Sequence, residues 1–307
     1  MKSFRSTITL AVIVVVLSII SFWAYSTRTT RQQRSADQKV IGQFNPDHIV
    51  KISVRNSKGT FDFLRKPKSF SASWWVKAEQ EFPADFREVQ FLLEKFSSLK
   101  ADRLIEKTSQ NVSEFGLQKP RITLHFFGED TSFEFLIGNA TPFGKELFLK
   151  IENDPRIFVV ADDFLARLDR KPEDFKKYYF LEPGVLDANE ISFESSKKNW
   201  TAHNAGNHWE IVEGKNLSID KNQDINALLE GFKEISIDSR PNLVLKEKDS
   251  AFKITFSLKS GQPFIVKFFD PPQAEQEGLI YATFPPEPFI YGLNRILVER
   301  LQGIAAK

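Results

Sequence analysis

Apolar and polar residues alternate in several stretches of this chain, and this pattern predicts β-strands joined in hairpins. Residues 49–66 hold two such runs around the turn sequence Asn56-Ser57-Lys58-Gly59, and residues 121–138 hold two more around Gly128-Glu129-Asp130. Between the hairpins, Pro83 and Asp85 precede apolar residues at helical spacing, which are Val89, Leu92, Leu93, Phe96 and Leu99. We therefore predict a hairpin, a helix and a second hairpin in this order.

The same order of elements returns in the second half of the chain. A predicted hairpin covers residues 252–269, and the predicted helix before it carries Ile225, Leu228, Leu229, Phe232 and Ile235. The matching residues are LLEKF (92–96) with LLEGF (228–232), Trp75 with Trp209, Ile122 with Ile254, and Leu168 with Leu301, at offsets between 132 and 136. These near-constant offsets favour an internal duplication, and the alternative is two unrelated domains with similar patterns. Two copies are too few for a solenoid.

A long apolar segment near the N-terminus predicts a membrane anchor. From Ile8 to Tyr25 there is no charged residue, and only Thr9, Ser18 and Ser21 are polar. As a helix, this segment would span about 27 Å, close to the ~30 Å hydrocarbon core of a bilayer. Trp23 stands where interfacial aromatic residues are common. A cleavable signal peptide is the alternative.

Together these patterns predict an α+β fold. An N-terminal transmembrane helix is followed by two tandem copies of a unit that consists of a β-hairpin, a helix and an antiparallel sheet. The expected boundaries are 1–43 for the anchor and its juxtamembrane linker, 44–182 for the first α+β repeat and 183–307 for the second.

Composition and charge narrow the classes of function. The chain is 41% apolar and 27% charged, which is typical of a globular protein. Its net charge of +2 is unevenly placed, because residues 1–40 hold six basic residues and one acid, so the remainder is mildly acidic. Such a surface argues against nucleic acid as a partner. The absence of cysteine excludes disulfides, thiolate metal sites and cysteine nucleophiles.

No pattern of catalytic, cofactor-binding or metal-binding residues stands out. His203 and His208 flank a predicted turn, and Glu210 or Asp220 could supply a third metal ligand, but these residues do not form a compact motif. Phosphate-cradling loops, nucleophile elbows and dinucleotide fingerprints are absent from the sequence. We therefore predict no catalytic, cofactor or metal residues and no cofactor, and favour a protein that is not an enzyme.

Trp74 and His208 are the candidates for a binding surface. They occupy equivalent positions in the two predicted copies, and Trp74 points away from its neighbour Trp75 if both lie on a strand. An exposed tryptophan could bind a sugar or a protein. The alternative is a tryptophan that is covered by the other repeat.

A Phe-Gly-Leu-x-x-Pro motif, formed by Phe115, Gly116, Leu117 and Pro120, appears only in the first copy. It follows the segment Lys100-Ala101-Asp102-Arg103, and it precedes a strand that ends in Leu136-Ile137-Gly138-Asn139. With the apolar N-terminus and Trp75, these features resemble a bacterial family known only as a domain of unknown function. Its members are often single-pass envelope proteins encoded beside gliding-motility-type ABC transporters. The motif itself reads as a structural turn.

The resemblance implies a location at the bacterial inner (cytoplasmic) membrane, with the soluble part periplasmic or otherwise extracytoplasmic. It implies an accessory or scaffold protein of an envelope complex, without enzymatic activity, that works with an ABC-type transporter. The expected partners are the membrane and a membrane protein complex. A ligand-binding protein for a glycan or cell-wall component is the alternative, and an unrecognised hydrolase is the third hypothesis.

Overall fold

A computed structural model describes residues 39–66, 72–106, 112–142, 144–182, 187–206, 208–214, 221–258, 263–271, 278–285 and 287–305. Within these residues, the strands are β1 Lys39–Val40, β2 Ile49–Asn56, β3 Gly59–Arg65, β4 Trp74–Lys77, β5 Glu81–Pro83, β6 Lys100–Ala101, β7 Arg103–Glu106, β8 Ile122–Gly128, β9 Ser132–Ala140, β10 Glu146–Ile151, β11 Ile157–Ala161, β12 Glu190–Ser195, β13 Asn199–Asn204, β14 Trp209–Glu213, β15 Phe252–Ser257, β16 Phe264–Phe269, β17 Leu279–Thr283 and β18 Ile290–Asn294. The α-helices are α1 Phe86–Ser97, α2 Leu165–Leu168, α3 Lys221–Glu234 and α4 Arg295–Ala305. Short 3-10 turns cover Pro46–His48, Pro172–Phe175 and Glu247–Asp249.

The chain forms two compact units, and the first contains the described residues up to His48, Leu93–His125 and Thr131–Asp169. Here β8, β9, β10, β11 and β7 lie side by side in that order, and β1 pairs with β6. The ring of Phe96 contacts the rings of Phe135 and Phe164 edge-on, at centroid distances of 5.0 and 5.1 Å. This aromatic contact joins the C-terminal end of α1 to the strands of the unit.

The second unit contains Ile49–Leu92, Phe126–Asp130 and Arg170–Lys307. Strands β5, β4, β3 and β2 pair antiparallel in that order, and β14-β13-β12-β15-β16-β17-β18 form a seven-stranded antiparallel sheet. Burial alternates along β15, so Phe252, Ile254 and Phe256 face the core while their neighbours are half-buried. Alternation of this kind is expected where one face of a sheet packs on a core. The rings of Phe252 and Phe268 stack there at 4.3 Å.

The predicted α+β class is wrong, because the described residues are mostly antiparallel β-sheet. They form eighteen strands, most of them in two large sheets, and four α-helices, of which α2 has only four residues. The predicted hairpins and helices do form. However, further strands pair with the hairpins, so that each large sheet is wider than a hairpin-and-helix unit. The boundaries at 1–43, 44–182 and 183–307 stay a prediction.

The predicted membrane helix, residues 8–25, lies outside the described residues. In the part of the chain that the structure describes, no helix is both long enough and apolar enough to cross a membrane.

Candidate functional site

An extended segment of the second unit, residues 175–182, is held by backbone hydrogen bonds along both of its edges. We call it the junction segment, since it stands at the predicted boundary between the two repeats. On one edge the bonds are Lys177 N–H to the Pro83 carbonyl (2.9 Å) and Asp85 N–H to the Phe175 carbonyl (2.8 Å). On the other they are Ile237 N–H to the Tyr178 carbonyl (2.8 Å) and Phe180 N–H to the Ile235 carbonyl (2.9 Å). These bonds fix which side chains of the segment point inward and which point to solvent.

Lys177 points inward and is only 2% exposed. Its Nζ lies 5.0 Å from the ring centroid of Phe284 and 5.9 Å from that of Tyr291, so the aromatic faces stabilise its positive charge. Burial lowers the pKa of Lys177 to about 8, against the attraction of Glu182 and Glu287, which raises it. Because 8 is still above neutral pH, the side chain is mostly protonated there and carries a buried charge.

Two carboxylates attract this buried cation. Both Oε atoms of Glu182 accept a hydrogen bond from the Ser73 N–H, at 3.0 and 3.1 Å. Burial raises the pKa of Glu182, against the attraction of Lys177 and the bonds from Ser73, which lower it. Glu287 is 7% exposed, and its Oε2 accepts a hydrogen bond from the Tyr291 hydroxyl at 3.1 Å. We call Lys177, Glu182 and Glu287 the charge cluster.

A cavity of about 100 Å³ adjoins the charge cluster. Its lining includes Asp85, Arg87, Lys177, Tyr179, Glu182 and Lys233. A volume of this size admits a few water molecules or one small polar group, such as a carboxylate. The cavity therefore offers ammonium, guanidinium and carboxylate groups to a single small group rather than to a whole substrate.

Tyr178 and Tyr179 of the junction segment lie close to Arg87, and we call these three residues the junction face. Tyr178 is 56% exposed and meets the ring of Tyr179 edge-on at 5.0 Å. The guanidinium carbon of Arg87 lies 3.7 Å from the ring centroid of Tyr179. Arg87 is positioned by the start of α1, where its backbone N–H donates to Asp85 Oδ1 at 2.9 Å as part of an N-cap. Asp85 was predicted from the sequence to begin this helix, and that prediction is confirmed.

Trp74 and His208 lie in different environments. Trp74 is 2% exposed, and the guanidinium carbon of Arg65 lies 4.9 Å from its ring centroid. The side chain of His208 is 47% exposed, and its Nε2 lies 2.8 Å from Glu210 Oε1. A role in binding stays a prediction for both residues.

His203 and His208 were considered as metal ligands from the sequence, and no buried charge was predicted. Among the residues that the structure describes, no three His, Cys, Asp or Glu side chains are grouped so that they could hold a metal ion. Sequence reasoning also missed Lys177 and Glu182. A lysine within the apolar run Phe175–Leu181 was the available signal, but Lys176 and Lys177 look alike in sequence, and only the former is exposed.

The Phe-Gly-Leu-x-x-Pro motif forms a turn that packs on β9 in the first unit. Gly116 has φ of +70°, a left-handed conformation that favours glycine. The backbone N–H of Asn139 donates to the Phe115 carbonyl at 2.9 Å, and Leu117 is 4% exposed. At Gly138, a Cβ atom would lie 2.1 Å from that same carbonyl oxygen. The motif is therefore a close backbone contact, which supports its structural interpretation.

Replacing Gly138 by Ala is expected to lower the free energy of unfolding by about 2 kcal/mol. The new methyl group would collide with a backbone oxygen, which cannot move aside as a flexible side chain could. Urea denaturation would measure the loss. Gly303→Ala is the matched control, because a Cβ there meets no atom within 4 Å and the residue lies inside α4, where Ala stabilises by up to about 1 kcal/mol. Equal stability of the wild type and Gly138→Ala would contradict the close contact.

Comparison with known proteins identifies the family. A family described as "Domain of unknown function (DUF4340)" matches residues 74–252, a stretch that includes the junction segment and the Phe-Gly-Leu-x-x-Pro motif. No curated protein and no solved structure matches the chain. The match agrees with the resemblance to a bacterial domain of unknown function. Because it covers more than half of the chain, the protein belongs to the DUF4340 family.

Proposed function

We propose that this protein is a non-enzymatic accessory or scaffold protein that binds a partner protein through the junction face. The observation that carries the proposal is the 56% exposure of Tyr178 on a segment whose backbone is hydrogen-bonded along both edges. Tyrosine and arginine are enriched among the residues that dominate binding energy in protein interfaces. A rigid backbone lowers the entropy lost when such side chains are ordered on binding.

The stacked Arg87 and Tyr179 and the adjoining cavity support the same proposal. The guanidinium remains able to donate hydrogen bonds at its edge while its face rests on the ring. The cavity beside it can receive one polar group of the partner, with Lys177 and Glu182 at its wall. An aromatic and arginine surface next to a small polar recess is a suitable anchor point for a protein partner.

The resemblance drawn from the sequence suggests the identity of the partner. It favours a subunit of an ABC-type transporter within an envelope complex at the bacterial cytoplasmic membrane, and an extracytoplasmic position for the binding face. These assignments rest on the resemblance.

Tyr178→Ala is expected to lower recovery of the partner by about tenfold or more, since loss of a central aromatic anchor costs roughly 1.4–2 kcal/mol or more. The full chain carries a C-terminal tag, native membranes are solubilised gently, and co-purified proteins are identified and quantified. Because the hydrogen bonds that hold Tyr178 use its backbone, truncation of the ring should preserve the fold, which circular dichroism checks.

Val244→Ser provides the matched control, because Val244 is 93% exposed and lies away from the junction face in sequence. Transporter subunits recovered in a fixed ratio from the wild type and Val244→Ser, but not from Tyr178→Ala, would support the proposal. Recovery of the bait alone, under conditions that keep known complexes intact, would contradict an accessory role.

A second candidate function is binding of an extracytoplasmic glycan or cell-wall ligand, and the cavity of about 100 Å³ favours it. The cavity would take one charged or polar group of such a ligand. Thermal shift measurements with soluble cell-wall fragments test this function, and Lys233→Gln should reduce any shift because Lys233 lines the cavity. A flat response across a broad panel of fragments would exclude it.

A further inference from the structure

A wide groove lies at one end of the seven-stranded sheet, where β12 ends and β13 and β15 begin. Its volume is about 610 Å³, and we call it the basic groove. Its lining includes Glu194, Ser195, Asn199, Lys248, Lys253 and Lys267. The volume falls in the range of small-molecule binding sites. The groove shares no lining residue with the cavity beside the charge cluster.

The strand register places two lysines directly opposite each other in the basic groove. Lys253 on β15 is the cross-strand partner of Lys267 on β16. Like charges at directly opposite positions destabilise a sheet, and a polar or aromatic residue at either position would avoid this cost. A pair of like charges that lowers stability is expected at a site that binds a ligand.

A carboxylate of the lining pairs with Lys253. Glu194 is the partner of Lys253 on the other side of β15, and its Oε1 lies 2.8 Å from Lys253 Nζ. Lys248, on the 3-10 turn Glu247–Asp249, adds a third ammonium group to the lining. Three lysines against one glutamate leave the lining with a positive excess, which attracts anions.

Hydrogen-bonding groups from a tight turn border the same groove. The turn between β12 and β13 is closed by the Ser195 N–H, which donates to the Lys198 carbonyl at 3.0 Å. The Ser195 hydroxyl accepts from the Lys198 N–H at 3.0 Å, so the turn is rigid. Its lysines, Lys197 and Lys198, place further positive charge in the loop that carries the lining residues Ser195 and Asn199.

We propose that the basic groove binds a phosphate-bearing ligand. A phosphate group has several oxygens, so it can contact more than one ammonium group at once, and lysine is a common phosphate ligand. The spread of three lysines over a wide groove suits such a group on a larger molecule. A free phosphorylated molecule and a lipid headgroup share this chemistry. The site is independent of the proposed partner binding at the junction face.

The experiment uses the full chain and pyrophosphate as the probe, in calorimetric titrations at constant ionic strength maintained with chloride. We expect saturable binding to the wild type and at least about tenfold weaker binding to Lys253→Gln/Lys267→Gln, a loss of about 1.4 kcal/mol or more. Lys58→Gln is the control, because Lys58 is an exposed lysine in the turn between β2 and β3. Lys248→Gln, which alters a turn and no strand, replaces the double variant if that variant does not fold.

Vesicles distinguish the two sources of phosphate. Binding to phosphatidylglycerol vesicles that exceeds binding to phosphatidylcholine vesicles, is displaced by pyrophosphate and is lost in the double variant would identify a headgroup site. Pyrophosphate binding without such vesicle binding would identify a soluble ligand. Absence of saturable pyrophosphate binding, or an equal loss in Lys58→Gln, would overturn the proposal. Either result leaves the test with Tyr178→Ala unaffected.

Discussion

Lys177→Met is expected to raise the free energy of unfolding at neutral pH by about 3 kcal/mol, because burial disfavours the charged lysine more than the nearby carboxylates favour it. Lys177 is 2% exposed, and its charge attracts both Glu182 and Glu287. Without it, two carboxylates remain in a poorly hydrated environment. Glu287 keeps the hydrogen bond from Tyr291, and Glu182 keeps those from the Ser73 N–H, but neither bond supplies a positive charge. This lost attraction is already included in the pKa of about 8, so the net effect is a gain, which urea denaturation at neutral pH would measure.

The double variant Lys177→Met/Glu182→Gln is the control for this result. Replacing both members of a buried pair by neutral residues of similar size is often neutral or stabilising, since neither desolvation penalty remains. We therefore expect the double variant to be at least as stable as the wild type, with an effect that differs from the sum of the two single effects because the two charges attract each other. If the two substitutions instead act additively, the two charges do not interact and the charge cluster is not a coupled unit.

The stability of the wild type, relative to the double variant, should rise by about 3 kcal/mol as the pH increases from about 8 to about 10.5. The pKa of Lys177 is about 8 in the folded protein, against an ordinary value of 10.5. Between these values the unfolded chain binds a proton that the folded protein does not bind. Stability rises with pH wherever the unfolded state binds more protons, so Lys177 opposes folding most strongly below pH 8.

Chemical denaturation at pH 7.5, 9 and 10.5 on both proteins would measure this difference. The double variant lacks the titration of Lys177 and of Glu182 but keeps that of the remaining groups. For example, burial raises the pKa of the Tyr281 phenol in both proteins, so its effect cancels. A difference that stays constant over this range would show that Lys177 titrates as an ordinary lysine and would contradict its burial as a charged group.

Local patterns predicted several elements correctly. The turn Asn56–Gly59 joins β2 to β3, as the sequence indicated. The predicted helical residues Val89, Leu92, Leu93, Phe96 and Leu99 are all buried, and so are Ile225, Leu228, Leu229, Phe232 and Ile235 in the second half. These predictions succeed because alternation and helical spacing reflect which face of a single element meets the core.

The fold class could not be obtained in the same way. Whether a strand such as β14 stands alone or completes a seven-stranded sheet depends on which other strand pairs with it, and periodicity within β14 contains no information about its partner. The sequence pattern pairs each predicted helix with a hairpin, and this favoured an α+β class. In the structure, strands outnumber α-helices among the described residues, and α2 is a single short turn.

The candidate sites also include one feature that the sequence revealed and one that it did not. Phe115, Gly116, Leu117 and Pro120 formed a recognisable motif because a left-handed residue and a close backbone contact restrict which side chains fit. Trp74 was considered for a binding surface because strand neighbours point to opposite faces. It is buried all the same, which periodicity along β4 did not reveal.

The sequence by itself determined several strand and helix segments and tight turns. Each of these depends on residues that are close in the chain. Only the tertiary structure decided that Lys177 rather than Lys176 is buried, that Glu182 attracts it, and that Lys253 faces Lys267 across two strands. The burial and the pairing of a charged residue depend on segments that are distant in sequence. Their contribution to stability therefore exists only once folding brings those segments together.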